Sequence, residues 1–389
     1  MKFYSKKLFV LTLIVLMSLL AACGENSNPA SSDKNSENPE SENNDAEKQT
    51  EQEEYFFTFA NVTESGPLFV ELGEGVKEAA EVAGIKLKTY DNKFDGPTAL
   101  QNSKLMVQDK PDLIIEYNGV EGVGKSLEAV FKKAGIPTIA VNIPVPGSPL
   151  FNLSNEEIGI DTGKVVAEVA KEKGWTADNT TVLLVQSSKG GWEINNSVRY
   201  FYVTVAEETG MQEVKPEDIT PMTTKIGEHF IQVDSEATLE SSYQAVKNVI
   251  QTIPKDRNIL LYSINDDSSL GAWRAIEDAN RTEKTLVAGL GGSKQGLDEL
   301  RNNENWVAEG SFFMGSWGQY IMAMGVAILN GAEPPEVTFS PQVVLTKKNV
   351  EEYYNGGYEP VVLPELPEQN QYLIETGVLQ KFNNIEGLE

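Results

Sequence analysis

From Phe56 onward, short apolar runs alternate with stretches whose apolar residues recur every three or four positions. The runs 56–62, 85–90, 112–117 and 138–142 carry β-branched and aromatic residues between turn signals, and read as strands. Between them, 68–83, 98–108 and 122–134 read as amphipathic helices. The first stops at Gly84 and the third at Gly135-Ile136-Pro137. The same grammar then begins again. Helices are predicted over 158–173, 192–209, 237–252 and 268–279, and strands over 181–186, 230–233, 258–263 and 285–289. Strands alternating with helices of this length are βαβ units on a parallel sheet. Two consecutive runs of similar size predict an α/β protein with two doubly wound, Rossmann-like parallel-sheet lobes.

The chain before this body has a different character. Residues 1–22 begin with Lys2, Lys6 and Lys7 and continue without charge from Leu8 to Leu20, the form of an export signal. That run falls short of the roughly 20 apolar residues of a spanning helix. It ends Ala21-Ala22-Cys23-Gly24, which resembles the lipobox of bacterial lipoproteins. The resemblance implies lipid attachment at Cys23, which becomes the first residue of a membrane-tethered, extracytoplasmic protein. Residues 23–54 then hold Asn, Ser, Glu, Asp, Lys, Gln and Pro with almost nothing apolar. Such a stretch buries too little to offset its ordering entropy, so it is expected to be a disordered acidic tether.

Charge and scarce residue types exclude several function classes. The formal net charge is −26, which argues against nucleic acid as a partner, since phosphate binding needs a basic face. Cys23 is the only cysteine, so neither an internal disulfide nor a thiolate metal site is expected. The single histidine, His229, supports neither a catalytic triad nor a two-histidine metal site. Gly122-Val123-Gly124-Lys125-Ser126 lacks the full spacing of a phosphate loop and reads as a helix start. No spacing singles out a catalytic set, so an enzyme is not expected.

Several motifs share one resemblance. They are Asn61 to Phe69 followed by Glu74-Gly75, then Ala134-Gly135-Ile136-Pro137-Thr138-Ile139, then Asn265-Asp266 with Gly271-Ala272, and finally Gly289-Leu290-Gly291-Gly292. In order and spacing the body resembles the type I periplasmic binding proteins of the ribose and galactose group. The similarity runs from about Tyr55 to Thr346. It implies a three-segment hinge with crossings near Ser154-Asn155, Phe312-Phe313 and Ser340-Pro341. One lobe then comprises 55–155 with 313–340, and the other 156–312 with 341–389. The final segment is expected to pack on the second lobe. The resemblance further implies a monomer without cofactor that captures a small polar ligand, a sugar, by hinge closure. It delivers that ligand to the permease of an ABC importer. An alternative is a sensor that presents its bound form to a membrane receptor kinase or chemoreceptor.

In open parallel sheets ligands bind beyond the carboxyl ends of the strands. That rule and the resemblance together nominate Asn61, Glu64, Phe69, Asp91, Asn118, Asn142, Lys189, Trp192, Asn195, Asn265, Asp266 and Phe312 as ligand-binding residues. Amides and carboxylates suit hydroxyl-rich ligands, and Phe69, Trp192 and Phe312 could cover the apolar face of a ring. Asp266 reads more readily as the cap of the helix that follows it, since an Asp there accepts free backbone N–H groups. Four positions depart from the resemblance. Asn142-Ile143 stands where Asp-Arg is common, Asn195 where an Arg is expected, Gly291 in place of an Asp, and Phe312 in place of a Gln or Asn. A less hydroxylated, methylated or otherwise modified sugar, or a ligand that is not a sugar, is therefore open.

Overall fold

The computed structural model describes residues 54–388; the expected export signal, the Cys23 lipid site and the tether lie outside these described residues. The first run of elements is β1 (Phe56–Asn61), α1 (Pro67–Ala83), β2 (Lys86–Asp91), α2 (Gly96–Asp109), β3 (Leu113–Glu116), α3 (Gly124–Ala134), β4 (Thr138–Val141) and β5 (Leu150–Asn152). The second is α4 (Asn155–Glu172), β6 (Thr180–Gln186), α5 (Gly191–Ile194), α6 (Asn196–Thr209), β7 (Lys225–Ile226), β8 (Phe230–Asp234), α7 (Leu239–Val249), β9 (Asn258–Ser263), α8 (Asp266–Asp278), β10 (Thr285–Gly291), α9 (Lys294–Asn302) and β11 (Trp306–Ser311). The chain ends with α10 (Trp317–Leu329), β12 (Val337–Phe339), β13 (Val343–Leu345) and α11 (Val350–Tyr354).

These strands form two sheets. The six-stranded sheet has the order β12-β5-β4-β3-β1-β2 and is parallel throughout. The seven-stranded sheet has the order β13-β11-β10-β9-β6-β8-β7, with only its edge strands β13 and β7 antiparallel to their neighbours. Central strands β3 and β6 are buried at every position, as expected where helices cover both faces. In each sheet the strand order reverses once beside the first strand, between β1 and β3 and between β6 and β9. Crevices open at such reversals, beyond the carboxyl ends of the strands.

Local chemistry sets the helix ends. Pro67 opens α1, and Gly84, at φ 76°, closes it with the Ile85 N–H donating back to the Ala80 carbonyl at 2.8 Å. Asp95, Ser154 and Asn265 cap α2, α4 and α8 by accepting backbone N–H bonds. The long helix read over 192–209 is in fact broken at Asn195 into α5 and α6.

The chain passes between the sheets after β5, returns after β11, and crosses again between β12 and β13. Ser154 and Gln342 bind each other reciprocally where the first and last crossings meet. The Ser154 N–H donates to the Gln342 Oε1 at 2.8 Å, and the Gln342 amide donates to the Ser154 carbonyl at 3.3 Å. The C-terminal segment divides between the two sheets, contrary to the expectation that all of it packs on the second lobe. Its first part docks beside β11, where Tyr354 and Ser311 share a hydroxyl hydrogen bond at 2.8 Å. Its last part lies against the first sheet. Asn370 donates to the Phe339 carbonyl at 2.6 Å, and Tyr372 bonds Thr338 at 2.7 Å. Leu373 and Leu379 are fully buried in turns that pack on α10, an apolar helix that needs cover on its outer side.

Candidate ligand-binding cleft

The carboxyl ends of both sheets converge on one cavity of about 50 Å³. This is well under the roughly 300–1,000 Å³ of ordinary small-molecule pockets, so the walls stand close together. Tyr117 and Asn142 enter it from beyond β3 and β4, and Leu153 and Asn155 from the first crossing. From the second sheet come Ser187 beyond β6, Ile264 and Asn265 beyond β9, and Leu290 in β10, with Phe312 from the second crossing. Leu68 and Phe69, at the start of α1, and Phe94 complete one wall. Phe69 meets Phe94 and Tyr117 edge-on, with ring centroids 5.5 and 6.2 Å apart.

Backbone strain concentrates here. Asn142 sits at φ 62° and Phe313 at φ 50°, conformations disfavoured for residues other than glycine and often found at ligand sites. The Asn142 amide donates to the Tyr117 hydroxyl at 2.6 Å, while its own carbonyl oxygen is buried without a partner. Burial pushes the Tyr117 hydroxyl up to about 12, with the Asn142 bond pulling against it. Tyr117 is therefore neutral at physiological pH.

The charged groups lie behind the wall. Asp266 and Glu309 are both buried, and Glu309 is held well above the usual carboxylate range by burial and by the neighbouring Asp266. Glu309 accepts from the Gly292 N–H at 3.0 Å and from the Trp306 indole at 2.9 Å, and Asp266 accepts from the Ser293 N–H at 2.8 Å. Burial and the Asp266 carboxyl beside it both favour the protonated form of Glu309 within this pair. Gly291 makes room for it, because a Cβ there would fall against the Asp266 carboxyl. Glu116, the last residue of β3, is pushed to about 8 by burial, against the Asn92 amide that bonds it at 2.9 Å.

Of the nominated residues, Phe69, Asn142, Asn265 and Phe312 line the cavity together. Asn61 and Asn118 are buried behind it. Asn61 donates to the Phe69 carbonyl at 2.9 Å, and Asn118 accepts from the Val120 N–H at 2.8 Å, so each shapes a loop beside the wall. Asp266 faces a small adjoining recess beside Leu68 and Phe69, with its carboxyl turned to backbone and to Glu309. The others stand elsewhere. Glu64 is exposed, and its N–H meets the Asp91 carboxylate at 3.3 Å, a group that also accepts from Lys93 N–H in the turn after β2. Lys189 is exposed and pairs with Glu236 at 3.0 Å. Asn195 ties the turn after β6 together through Ser187 and the Gly191 carbonyl.

Trp192 is 42% exposed at the edge of the cleft, because the Arg199 guanidinium stacks on its ring at 3.5 Å and holds it outward. The wall residues Leu68, Phe94, Leu153, Ile194 and Leu290 were missed by sequence reasoning, which searched strand ends for polar groups. A tally of apolar residues at the same strand ends would have found several. His229 accepts from the Gln212 N–H at 3.0 Å, a structural role. Among the described residues no cluster of His, Cys, Asp or Glu could hold a metal ion.

Two polar contacts join the lobes beside the cavity. The Trp192 N–H donates to Glu121 at 3.3 Å, and the Asn152 amide donates to Glu193 at 3.0 Å. A narrow cleft between two doubly wound sheets joined by three crossings is the architecture of a solute-binding protein.

The periplasmic binding protein domain model matches residues 57–333, and the chain belongs to that family, in its ribose and galactose group. It is 23% identical over 253 residues to the ribose import binding protein RbsB of Haemophilus influenzae, covering 62% of this chain and 75% of that one. Among solved structures it resembles GanP, a glucose-galactose binding protein from Geobacillus stearothermophilus, with a TM-score of 0.60 at 20% identity. That match covers 77% of this chain and 99% of GanP. It also resembles an ABC transporter solute-binding protein from Mycobacterium smegmatis with bound glycerol, at a TM-score of 0.65 and 18% identity. There the coverage is 77% of this chain and 96% of the other. The fold is thus the type I periplasmic binding protein fold, and the family is one of sugar-binding, extracytoplasmic receptors for ABC transport, not of enzymes. Among the described residues no helix is long and apolar enough to cross a membrane.

Proposed function

We propose that this protein is a monomeric lipoprotein, anchored through Cys23, that captures a sugar between its lobes and delivers it to an ABC importer. The observation that supports this most directly is the cavity itself, lined from both sheets at their carboxyl ends. A ligand there touches both lobes and favours the closed form by its contacts to each. The lobes are 55–155 with 313–340, and 156–312 with 341–389, except that the last turns of the chain belong with the first. Phe69, Asn142, Asn265 and Phe312 act in the cleft, and the acidic tether lets the body reach its permease.

Titration of the full-length chain with a series of sugars and polyols, read by calorimetry, tests the binding reading. Saturable one-to-one binding that the Phe69→Ala substitution weakens supports it; a panel without binding refutes it. Metabolic labelling with a radioactive fatty acid tests the anchor, and Cys23→Ser should abolish incorporation.

A further inference from the structure

The cavity is walled largely by carbon. Leu68, Phe69 and Phe94 face Ile264, Leu290 and Phe312, and among the described residues that line it none is Asp, Glu, Lys, Arg or His. Most of its polar groups already have partners. The Tyr117 hydroxyl accepts from Asn142 at 2.6 Å. Asn265 accepts from the Ser268 N–H at 2.9 Å and donates to the Ala237 carbonyl at 3.1 Å. Two buried side-chain atoms on this wall have none: the Asn142 carbonyl oxygen and the Asn155 amide nitrogen. Asn155 lies near Glu193 without a bond of good geometry. The Ser187 side chain is the other polar group at hand.

A common pyranose presents hydroxyls around its whole rim. A hydroxyl that leaves water for an apolar wall without finding a partner costs about tenfold in affinity or more. A rim position carrying hydrogen or an alkyl ether escapes that cost and gains contact with the aromatic rings. Arg and Lys are missing from the wall, which leaves no counter-charge for an acidic sugar.

Resting on the sugar-binding reading above, we infer that the cargo is a neutral ring with several hydroxyls removed or alkylated, a deoxy or O-methyl sugar. The lobes part to admit it, because the cavity of about 50 Å³ is too small for a sugar ring. One of its hydroxyls donates to the Asn142 oxygen, and one of its oxygens accepts from the Asn155 amide. Both residues sit on the first-lobe side of the cleft or at its hinge, so the polar grip is one-sided and the second sheet supplies mainly apolar cover.

The test is calorimetric titration of the full-length chain in detergent with glucose, galactose and ribose, their deoxy and O-methyl derivatives, and glucosamine. A deoxy or O-methyl member is expected to bind about tenfold or more tightly than its parent. Asn142→Gly, which suits the left-handed backbone there, is expected to weaken that member about tenfold or more; it also orphans the Tyr117 hydroxyl and should lower the melting temperature, so the affinity is read on the folded variant. Equal or tighter binding of the parent sugars overturns the inference and leaves the sugar-binding reading intact. Tightest binding of glucosamine overturns it in favour of the acidic recess at Asp266 and Asp267. Binding of none of these sugars overturns both.

Discussion

The Glu71 carboxylate accepts the backbone N–H of Gly315 at 3.1 Å, tying α1 to the turn that opens α10. Burial raises Glu71 to about 7 despite that bond, with the negative neighbours Glu359, Asp266 and Glu74 adding to the rise. The folded state therefore holds a proton on Glu71 at pH values where the unfolded chain has lost it. Stability from this group is complete below about pH 4.5 and is lost as pH rises through about 7. Allowing for the solvent the side chain still meets, the loss is about 2 kcal/mol. Glu71→Gln keeps an acceptor for Gly315 and removes the charge. Urea unfolding should show the variant more stable than the parent at pH 8 and equal to it near pH 4.5; equal stability at both values would refute the assignment.

Gly75 lies in α1 where that helix meets α10. A Cβ there would fall on the Gly315 carbonyl oxygen, and a Cβ on Gly318 would fall on the carbonyl of Gly75 itself. Backbone cannot retreat as a flexible side chain can, so Gly75→Ala must separate the two helices. The expected loss is about 1–3 kcal/mol, measured by chemical denaturation. Gly122, with nothing near its Cβ position, is the control, and Gly122→Ala should cost little.

Lys189 and Asn195 make opposite forecasts although both stand near the same turn. The Lys189–Glu236 pair is exposed on both sides, so Lys189→Ala should change stability by less than about 0.5 kcal/mol and leave ligand affinity alone. Asn195 is buried and bonds the Ser187 N–H and the Ser187 and Gly191 carbonyls. Asn195→Ala leaves these groups unpaired in the interior and should cost about 1–3 kcal/mol. Paired thermal melts of the two variants separate a surface charge from a turn-holding amide.

Much of the architecture was legible in the sequence because strand and helix periods differ and because Gly and Pro punctuate them. Gly75 belonged to a motif quoted for its resemblance, and its reason is now physical: two helix backbones touch there. Asn265 was legible as a cavity residue because it follows a strand end, but the cap expected of Asp266 falls to Asn265: Asp266 is already the first residue of α8, and the Asn265 side chain accepts the Ser268 N–H. Trp192 was not, because Gly190-Gly191 marks where a helix begins but not which way its first ring turns. Arg199, in the next helix, decides that. The apolar wall was harder to read for a related reason: Leu153 and Leu290 stand at strand ends, yet look like any core residue until two separate sheets are brought face to face. The docking of the last turns on α10 depends likewise on a contact between segments far apart in the chain.

Glu121 offers a way to act on closure without touching the cavity wall. It stands in the turn before α3, and its carboxylate accepts the Trp192 N–H from the other lobe at 3.3 Å. Gly191 has φ 74°, and its missing Cβ leaves the space that the Glu121 carboxyl occupies. The bond exists only while the lobes are together, so it stabilises the closed form and not the fold of either lobe. Glu121→Ala should then leave the unliganded melting temperature nearly unchanged. It should raise the Kd for the best-binding sugar by about 2- to 10-fold, the effect of one hydrogen bond to a charged group at a partly wet site. Because the contact forms after encounter, the change should appear in the dissociation rate. Glu121→Gln retains an accepting oxygen and should recover most of the affinity. Stopped-flow measurement of both variants checks the argument: a slower association rate with unaltered dissociation would show that the Glu121 contact has no part in holding the cleft shut.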